Sequence, residues 1–130
     1  MKKWNEQKML EEKIEQIRAS KKRYHEKYGN LTKRQREIAD TDAVELLDQL
    51  QNGDLLALEV VEAFIAKAVE VDMTTNCVAE FLDGALERAK HLDSLPKQSR
   101  GPLHGLPISL KVHKTFNIPT KELSLRLTSF

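Results

Sequence analysis

Cysteine, aromatic residues and long apolar runs are all scarce in this sequence, and each shortage excludes a class of protein. The single cysteine, Cys77, cannot form an internal disulfide, which suits a reducing compartment. Aromatic residues make up 5% of the chain, too few for the stacking platforms with which proteins bind single-stranded nucleic acids. No apolar run approaches the roughly 20 residues of a membrane-spanning helix, and charges occupy the N-terminus where a signal peptide would be apolar. We therefore predict a cytoplasmic protein without a transmembrane segment.

Charge of both signs is abundant, but it is divided unevenly along the chain. Residues 1–36 contain twelve Lys or Arg against five Glu, whereas residues 37–130 contain nine against fifteen acidic residues. A basic arm could bind nucleic acid or an anionic membrane surface. Acidic residues are nevertheless interleaved through EEKIEQ, which is typical of an exposed helix with opposite-charge neighbours. We interpret residues 1–37 as a basic helical extension and expect no nucleic acid partner.

The first helix of the chain is predicted from a narrow apolar stripe, which consists of Leu10, Ile14 and Ile17. This stripe is wide enough to lie on another surface but too narrow to build a core. The helix should end at YGN, where glycine and asparagine favour a stop. The following TKRQREIADTD is interpreted as a linker.

Three further helices are predicted from apolar residues spaced three and four positions apart. The first covers residues 43–52, with Asp42 and Glu45 as a reciprocal cap and Gly53 as a stop signal. The second covers residues 57–72, and these two helices should pair as an αα-hairpin. A last helix is predicted in DGALERAKHLDSL.

Two short apolar stretches, TNCVAEFL and LPISLK, are predicted to be β-strands that flank this last helix. Cys77 lies in the first of them and is expected to be buried as a small hydrophobic residue. Strand, helix and strand in succession open an α/β sheet. Two strands leave unpaired edges, so we interpret residues 38–130 as an incomplete domain in which exposed sheet edges could cause self-association.

The most distinctive motif is GPLHGLPISLK, at residues 101–111. Its glycines allow the backbone to pass close to other segments, and its prolines restrict the turn. The apolar run then leads to Lys111. A lysine can serve as a general base only when it is neutral, and removal from water favours the neutral form. The alternative is that Lys111 simply extends from the strand into solvent.

Other polar residues of the chain are weaker candidates for chemistry. We interpret His104 as a turn residue, and Ser109 as pointing away from Lys111 because it alternates with its apolar neighbours. No metal site is expected, because the remaining histidines lack the spacing of metal ligands. These histidines are His25, His91 and His113.

The segment TNCVAEFLDGALERAKHLDSLPKQSRGPLHGLPISLK resembles the amidase signature family, most closely the fungal acetamidase-like general amidases and more distantly fatty acid amide hydrolase. The resemblance covers residues 38–130. It implies an α/β fold, here N-terminal helices plus the first strands of a mixed sheet. It also implies hydrolysis of small-molecule carboxylic amides through an acyl-enzyme, with a Ser-cisSer-Lys triad and no cofactor. In this triad Lys111 holds the lysine position.

The sequence departs from the family in three respects, one of which is that Arg126, in TKELSLRLTSF, stands where the family has a glycine. The family's catalytic lysine is usually followed by an acidic residue, whereas here VHK follows Lys111. The family's serines and oxyanion donors lie in a segment rich in glycine and serine, and no serine of this chain lies in such a segment. We therefore predict a truncated N-terminal part of an amidase domain that is inactive alone. The alternatives are a non-catalytic amidase-like remnant and a helical module that binds a partner.

Overall fold

The computed structural model describes residues 2–110, and most of them are helical. The central helix, α4, packs against α1, α2 and α5. None of the helices in this range combines the length and the apolar character needed to cross a membrane. The five helices are α1 (Lys2–Tyr28), α2 (Lys33–Asp40), α3 (Ala43–Asn52), α4 (Ala57–Thr75) and α5 (Gly84–Asp93), followed by a short 3-10 helix at Lys97–Ser99.

The predicted α/β fold is wrong for the described part of the chain, because residues 2–110 contain no β-strand. The first expected strand, TNCVAEFL, is divided: α4 continues to Thr75, Asn76 ends it in a left-handed conformation with φ of 49°, and an irregular segment follows. Residues 106–110 of the second expected strand form no β-ladder with any other described residue. A strand needs a neighbouring strand for its hydrogen bonds. The sheet edges that we expected to cause self-association are therefore absent from residues 2–110.

Helix α3 begins and ends where the sequence predicts, although the Asp42 side chain bonds the Val44 amide rather than forming the expected reciprocal cap with Glu45. A side-chain oxygen of Asp42 accepts a hydrogen bond from the Val44 amide at 3.0 Å. Gly53 ends the helix with φ of 85°, a conformation in which a side chain would be strained. The boundaries of α3 therefore follow from local sequence.

Helix α2 replaces the linker that we predicted in TKRQREIADTD. Thr32 and Gln35 form a reciprocal cap, in which each side chain accepts a hydrogen bond from the other residue's backbone, at 3.1 and 3.0 Å. Ile38 is buried, and α2 rather than α3 is the most extensive helical partner of α4. The predicted αα-hairpin of α3 and α4 is therefore not the main helix pair of the bundle.

The hydrophobic core is built around α4, which is apolar on much of its circumference. Such a helix must be covered on several sides to be stable. Tyr24 and Tyr28 of α1, Leu46 and Leu50 of α3, and Phe81 complete the cluster around it. The buried apolar residues of α4 are Ala57, Val60, Val61, Ala63, Ile65, Ala66 and Val69.

Helix α1 has an exposed first half and a packed second half. Residues 2–16 are all exposed, including Trp4 at 69%. From Ser20 onward the helix contacts the bundle, and the Tyr24 ring stacks on Phe81 with 4.8 Å between the centroids. Exposure of every residue is thus limited to the first half of α1. A domain boundary at residue 37 stays a prediction.

A buried carboxylate fastens α1 to the end of α4. The Asp72 side chain is 1% exposed, and its oxygens lie 2.6 Å from His25 Nε2 and 3.0 Å from Lys21 Nζ. Asp72 also accepts a hydrogen bond from the Val78 amide at 2.8 Å. Lys21 in turn donates to the Asn76 side chain and to the Val78 carbonyl. Burial alone would raise the pKa of Asp72, but these donors together hold it below its usual value.

We predict that Asp72→Ala destabilises the protein by about 3 kcal/mol, because it leaves the Lys21 ammonium, the His25 ring and a buried amide without their acceptor. The free energy of unfolding in urea, followed by helical circular dichroism, measures this change. Glu70→Ala on the same helix is the matched control. Glu70 pairs with Arg36 and Lys67 at the exposed surface, so its removal should have little effect. Equal effects of the two substitutions would contradict the role given to Asp72.

Candidate functional site

The motif turn, residues 101–105, is the described part of the GPLHGLPISLK motif that folds back on the helices. The His104 amide donates to the Gly101 carbonyl at 3.1 Å, and the Leu106 amide donates to the Leu103 carbonyl at 3.1 Å. Gly105 has φ of 76°, which favours glycine. Two consecutive turns therefore reverse the chain before it continues toward Lys111.

The motif turn packs closely against α3 and α4 at Gly105. A Cβ atom added to Gly105 would lie 2.9 Å from Ala57 Cβ and 3.1 Å from Leu50 Cδ2, closer than atoms in ordinary contact. At Gly101, by contrast, an added Cβ would meet nothing within 4 Å. The second glycine thus allows the turn to approach the helices, whereas the first has open space beside it.

Arg100 fastens the motif turn to the end of α3. Its Nη1 donates to the Leu50 carbonyl at 2.9 Å and to the Gln51 carbonyl at 3.1 Å. The last carbonyls of a helix lack partners within the helix, so a cation at this position is favourable. The Gln51 side chain completes the clamp by donating to the Gly101 carbonyl. Sequence reasoning missed both residues, and the only sign was an arginine directly before the motif.

Asp93, at the end of α5, caps the start of α4. Leu56 occupies the N-cap position and offers no side-chain oxygen. The Asp93 carboxylate accepts from the Ala57 amide at 2.6 Å and from the Leu58 amide at 3.0 Å. A negative charge is favourable at this end of a helix. Asp93 therefore holds the start of α4 in the place where Gly105 packs.

His104 is the buried titratable residue of the motif turn, and it lies within a turn as interpreted from the sequence. Its side chain is 3% exposed, and Nδ1 has no hydrogen-bond partner in the described part of the chain. Burial is the main cause that lowers the pKa of His104, the charge of Arg100 adds to it, and Asp93 opposes it. The imidazole is therefore held in its neutral form.

The predicted catalytic residue, Lys111, lies outside the described residues, so its role and its burial stay predictions. Ile108, Ser109 and Leu110, which precede it, are exposed. The three residues before Lys111 are therefore not buried by the rest of the described chain.

The other candidate residues from the sequence are dispersed. The expected burial of Cys77 is wrong: its thiol is free and exposed. His25 contacts Asp72 and His91 is exposed, while His113 lies outside the described residues. Among residues 2–110, no group of three His, Cys, Asp or Glu side chains could hold a metal ion.

An open cleft of about 550 Å³ lies between α1 and the segment after α4. Three cationic residues and one histidine line it, and each has an acidic partner. Lys21 and His25 contact Asp72. Arg18 pairs with Glu15 at 2.8 Å and Lys22 with Glu26 at 3.9 Å. Each basic side chain of the cleft is therefore already engaged by an acidic side chain of the protein.

Comparison with known proteins identifies the family. The model of the amidase family matches residues 59–122, which include the whole of the motif. An acetamidase of Emericella nidulans is 40% identical over 92 residues, or 68% of this chain and 17% of that protein. An acetamidase of Aspergillus oryzae is 41% identical over 90 residues, or 66% of this chain and 16% of that protein. An amidase of Gibberella moniliformis is 44% identical over 88 residues, or 64% of this chain and 17% of that protein.

The predicted relationship to the amidases is confirmed, and across the matched residues the chain is a member of the amidase family. The chain spans only 16–17% of the length of these curated relatives. No solved structure gives a significant match.

We predict that Gly105→Ala destabilises the fold by about 2 kcal/mol or more, because a side chain there is strained at positive φ and overlaps two packed side chains. Gly101→Ala is the matched control and should stay within about 0.5 kcal/mol of the wild type. Thermal and urea unfolding of both variants measure the difference. Equal stability of the two variants would show that the close approach at Gly105 does not matter.

Proposed function

We propose that this chain carries the lysine-bearing segment of an amidase that hydrolyses small-molecule carboxylic amides through an acyl-enzyme. Lys111 is the general base of a Ser-cisSer-Lys triad in this proposal. The observation that carries it is the family match over residues 59–122, because this range includes GPLHGLPISLK together with its terminal lysine. The names of the curated relatives, acetamidase and amidase, agree with this substrate class.

The anchoring of the motif turn supports this role. A general base must be held within hydrogen-bonding reach of the proton that it removes. Arg100 and Gly105 attach the start of the motif to α3 and α4, six or more residues before Lys111. Asp93 caps the first amides of α4, beside which Gly105 packs. A fixed turn limits the directions in which the following residues can extend. The exposed apolar side chains of Ile108 and Leu110 give a surface that further protein could cover, and such cover would keep the lysine neutral.

No serine of the 130 residues stands in a segment rich in glycine and serine, where the nucleophile and the oxyanion donors of the family lie. None of the six serines of the chain is next to a glycine, whereas acyl transfer requires an activated serine and hydrogen-bond donors for the oxyanion. We therefore propose that these residues are one portion of an amidase domain and have no activity alone. The free thiol of Cys77 fits a reducing compartment, and we propose the cytoplasm.

The first test is a direct assay of the purified chain. Acetamide, benzamide and a long-chain fatty amide should be hydrolysed no faster than in buffer, because general-base chemistry without a nucleophile does not complete acyl transfer. Turnover that is lost on Lys111→Ala would contradict the proposed inactivity while supporting the role of the lysine.

The second test is a chimera in which residues 59–122 replace the matching segment of the Emericella nidulans acetamidase. The chimera should hydrolyse acetamide, and Lys111→Ala should lower kcat/KM by about 10³-fold or more, as expected for a triad residue. Lys114→Ala is the matched control and should leave the rate nearly unchanged. A chimera whose activity survives Lys111→Ala would overturn the assignment.

A non-catalytic helical module is the second candidate. Residues 2–110 form a helical bundle with its own core, and the first half of α1 exposes Trp4, Leu10 and Ile14. A binding module needs no serine segment, so a folded chain whose chimera is inactive with Lys111 intact would favour this alternative.

A further inference from the structure

We propose that His104 is a positioning residue: its neutral, buried imidazole holds the motif turn against the ends of α3 and α4, and protonation of the ring releases the turn. The chain continues from this turn to Lys111, so His104 sets the direction from which that lysine is approached. The part of the proposal that concerns Lys111 rests on the proposed function. The acid-sensitive turn itself does not.

The first observation is that His104 has no freedom to leave its place while the turn is formed. Its backbone amide donates to the Gly101 carbonyl at 3.1 Å. The next residue, Gly105, packs against Leu50 and Ala57. With 3% of the residue exposed, the imidazole cannot reach water without movement of the turn. Solvation of a charged ring therefore requires the turn to open.

The second observation concerns the ring nitrogens. Nδ1 of His104 is buried and has no partner among the described residues. A neutral imidazole tolerates this, because one of its nitrogens carries no proton and needs no acceptor. A protonated ring would place a charged N–H at Nδ1 with no acceptor, which is among the costliest arrangements in a protein interior.

The third observation is the fixed charge around the ring. Two charged groups act on His104, Arg100 on its own segment and Asp93 at the end of α5. The guanidinium of Arg100 cannot withdraw without losing its bonds to the Leu50 and Gln51 carbonyls. The carboxylate of Asp93 is already engaged by two amides of α4. Of these two charges, that of Arg100 has the larger effect on His104, so the pair together opposes protonation of the ring.

The direction of the pH effect follows from these contacts. The pKa of His104 in the folded chain lies below its ordinary value of 6.5, with burial as the main cause. The unfolded chain therefore binds a proton first on acidification. The stabilisation that His104 provides is fully present above pH 6.5 and is lost as the pH falls from there through the lower pKa of the folded state.

The test is a nuclear magnetic resonance titration of the full chain from about pH 8 to about pH 5, the range in which histidines change charge. The probes are the His104 ring and the backbone amides of Gly101 and Gly105. The ring should titrate with a midpoint below 6.5, and the Gly105 amide should shift with the same midpoint. His104→Phe keeps an apolar ring without a titrating nitrogen, so the Gly105 amide should then lose this pH dependence. His91→Gln changes an exposed histidine and should preserve it.

Two results would overturn the proposal. One is a His104 ring that titrates at or above its ordinary pKa of 6.5. The other is a Gly105 amide that follows the same titration in His104→Phe as in the wild type. If His104→Phe does not fold, His104→Gln and the wild-type ring titration decide the question. None of these measurements uses amide hydrolysis, so failure of the positioning role and failure of the Lys111 assignment are distinguishable.

Discussion

The described structure depends on one buried carboxylate. Asp72 lies in the last turn of α4, where a negative charge is unfavourable because the helix end is itself partly negative. The position is tolerated because Lys21 and His25 of α1 and the amide of Val78 surround the carboxylate. This arrangement joins α1, the end of α4 and the segment after α4 beside the stacked rings of Tyr24 and Phe81. Burial of the aromatic side chains of α1 follows from it, since the same helix face carries both sets of contacts.

A second carboxylate, that of Asp93, lies at the opposite end of α4. There a negative charge is favourable, because the N-terminal end of a helix is partly positive. Asp93 caps the free amides of α4, Arg100 caps the free carbonyls of α3, and Gly105 fits between the two helices. The motif turn is therefore attached through the unsatisfied backbone groups of helix ends, which are the natural acceptors and donors of a helical protein. An amidase-family segment can in this way hold its motif in place without a sheet among residues 2–110.

Sequence reasoning succeeded where the determinants are local and failed where they are distant. Helix α3 was predictable because Asp42 and Gly53 mark its ends. The prediction of a strand in TNCVAEFL was wrong because residues of this segment make separate contacts with the helices instead of pairing with a strand. Phe81 stacks on Tyr24, and the Val78 amide donates to Asp72. In the candidate site, glycine and proline indicated a turn. The anchors were not visible, because Arg100 and Asp93 bond to residues dozens of positions earlier in the chain.

Because only the second half of α1 packs on the bundle, the first half extends away from it. A helix rises about 1.5 Å per residue, so the 27 residues of α1 extend over about 40 Å. Contact with the bundle begins at Ser20, which leaves about 25 Å of helix free of the core. A stiff rod of this length acts as a spacer. A group that bound Trp4 would stand about as far from the bundle as this free part of the helix is long.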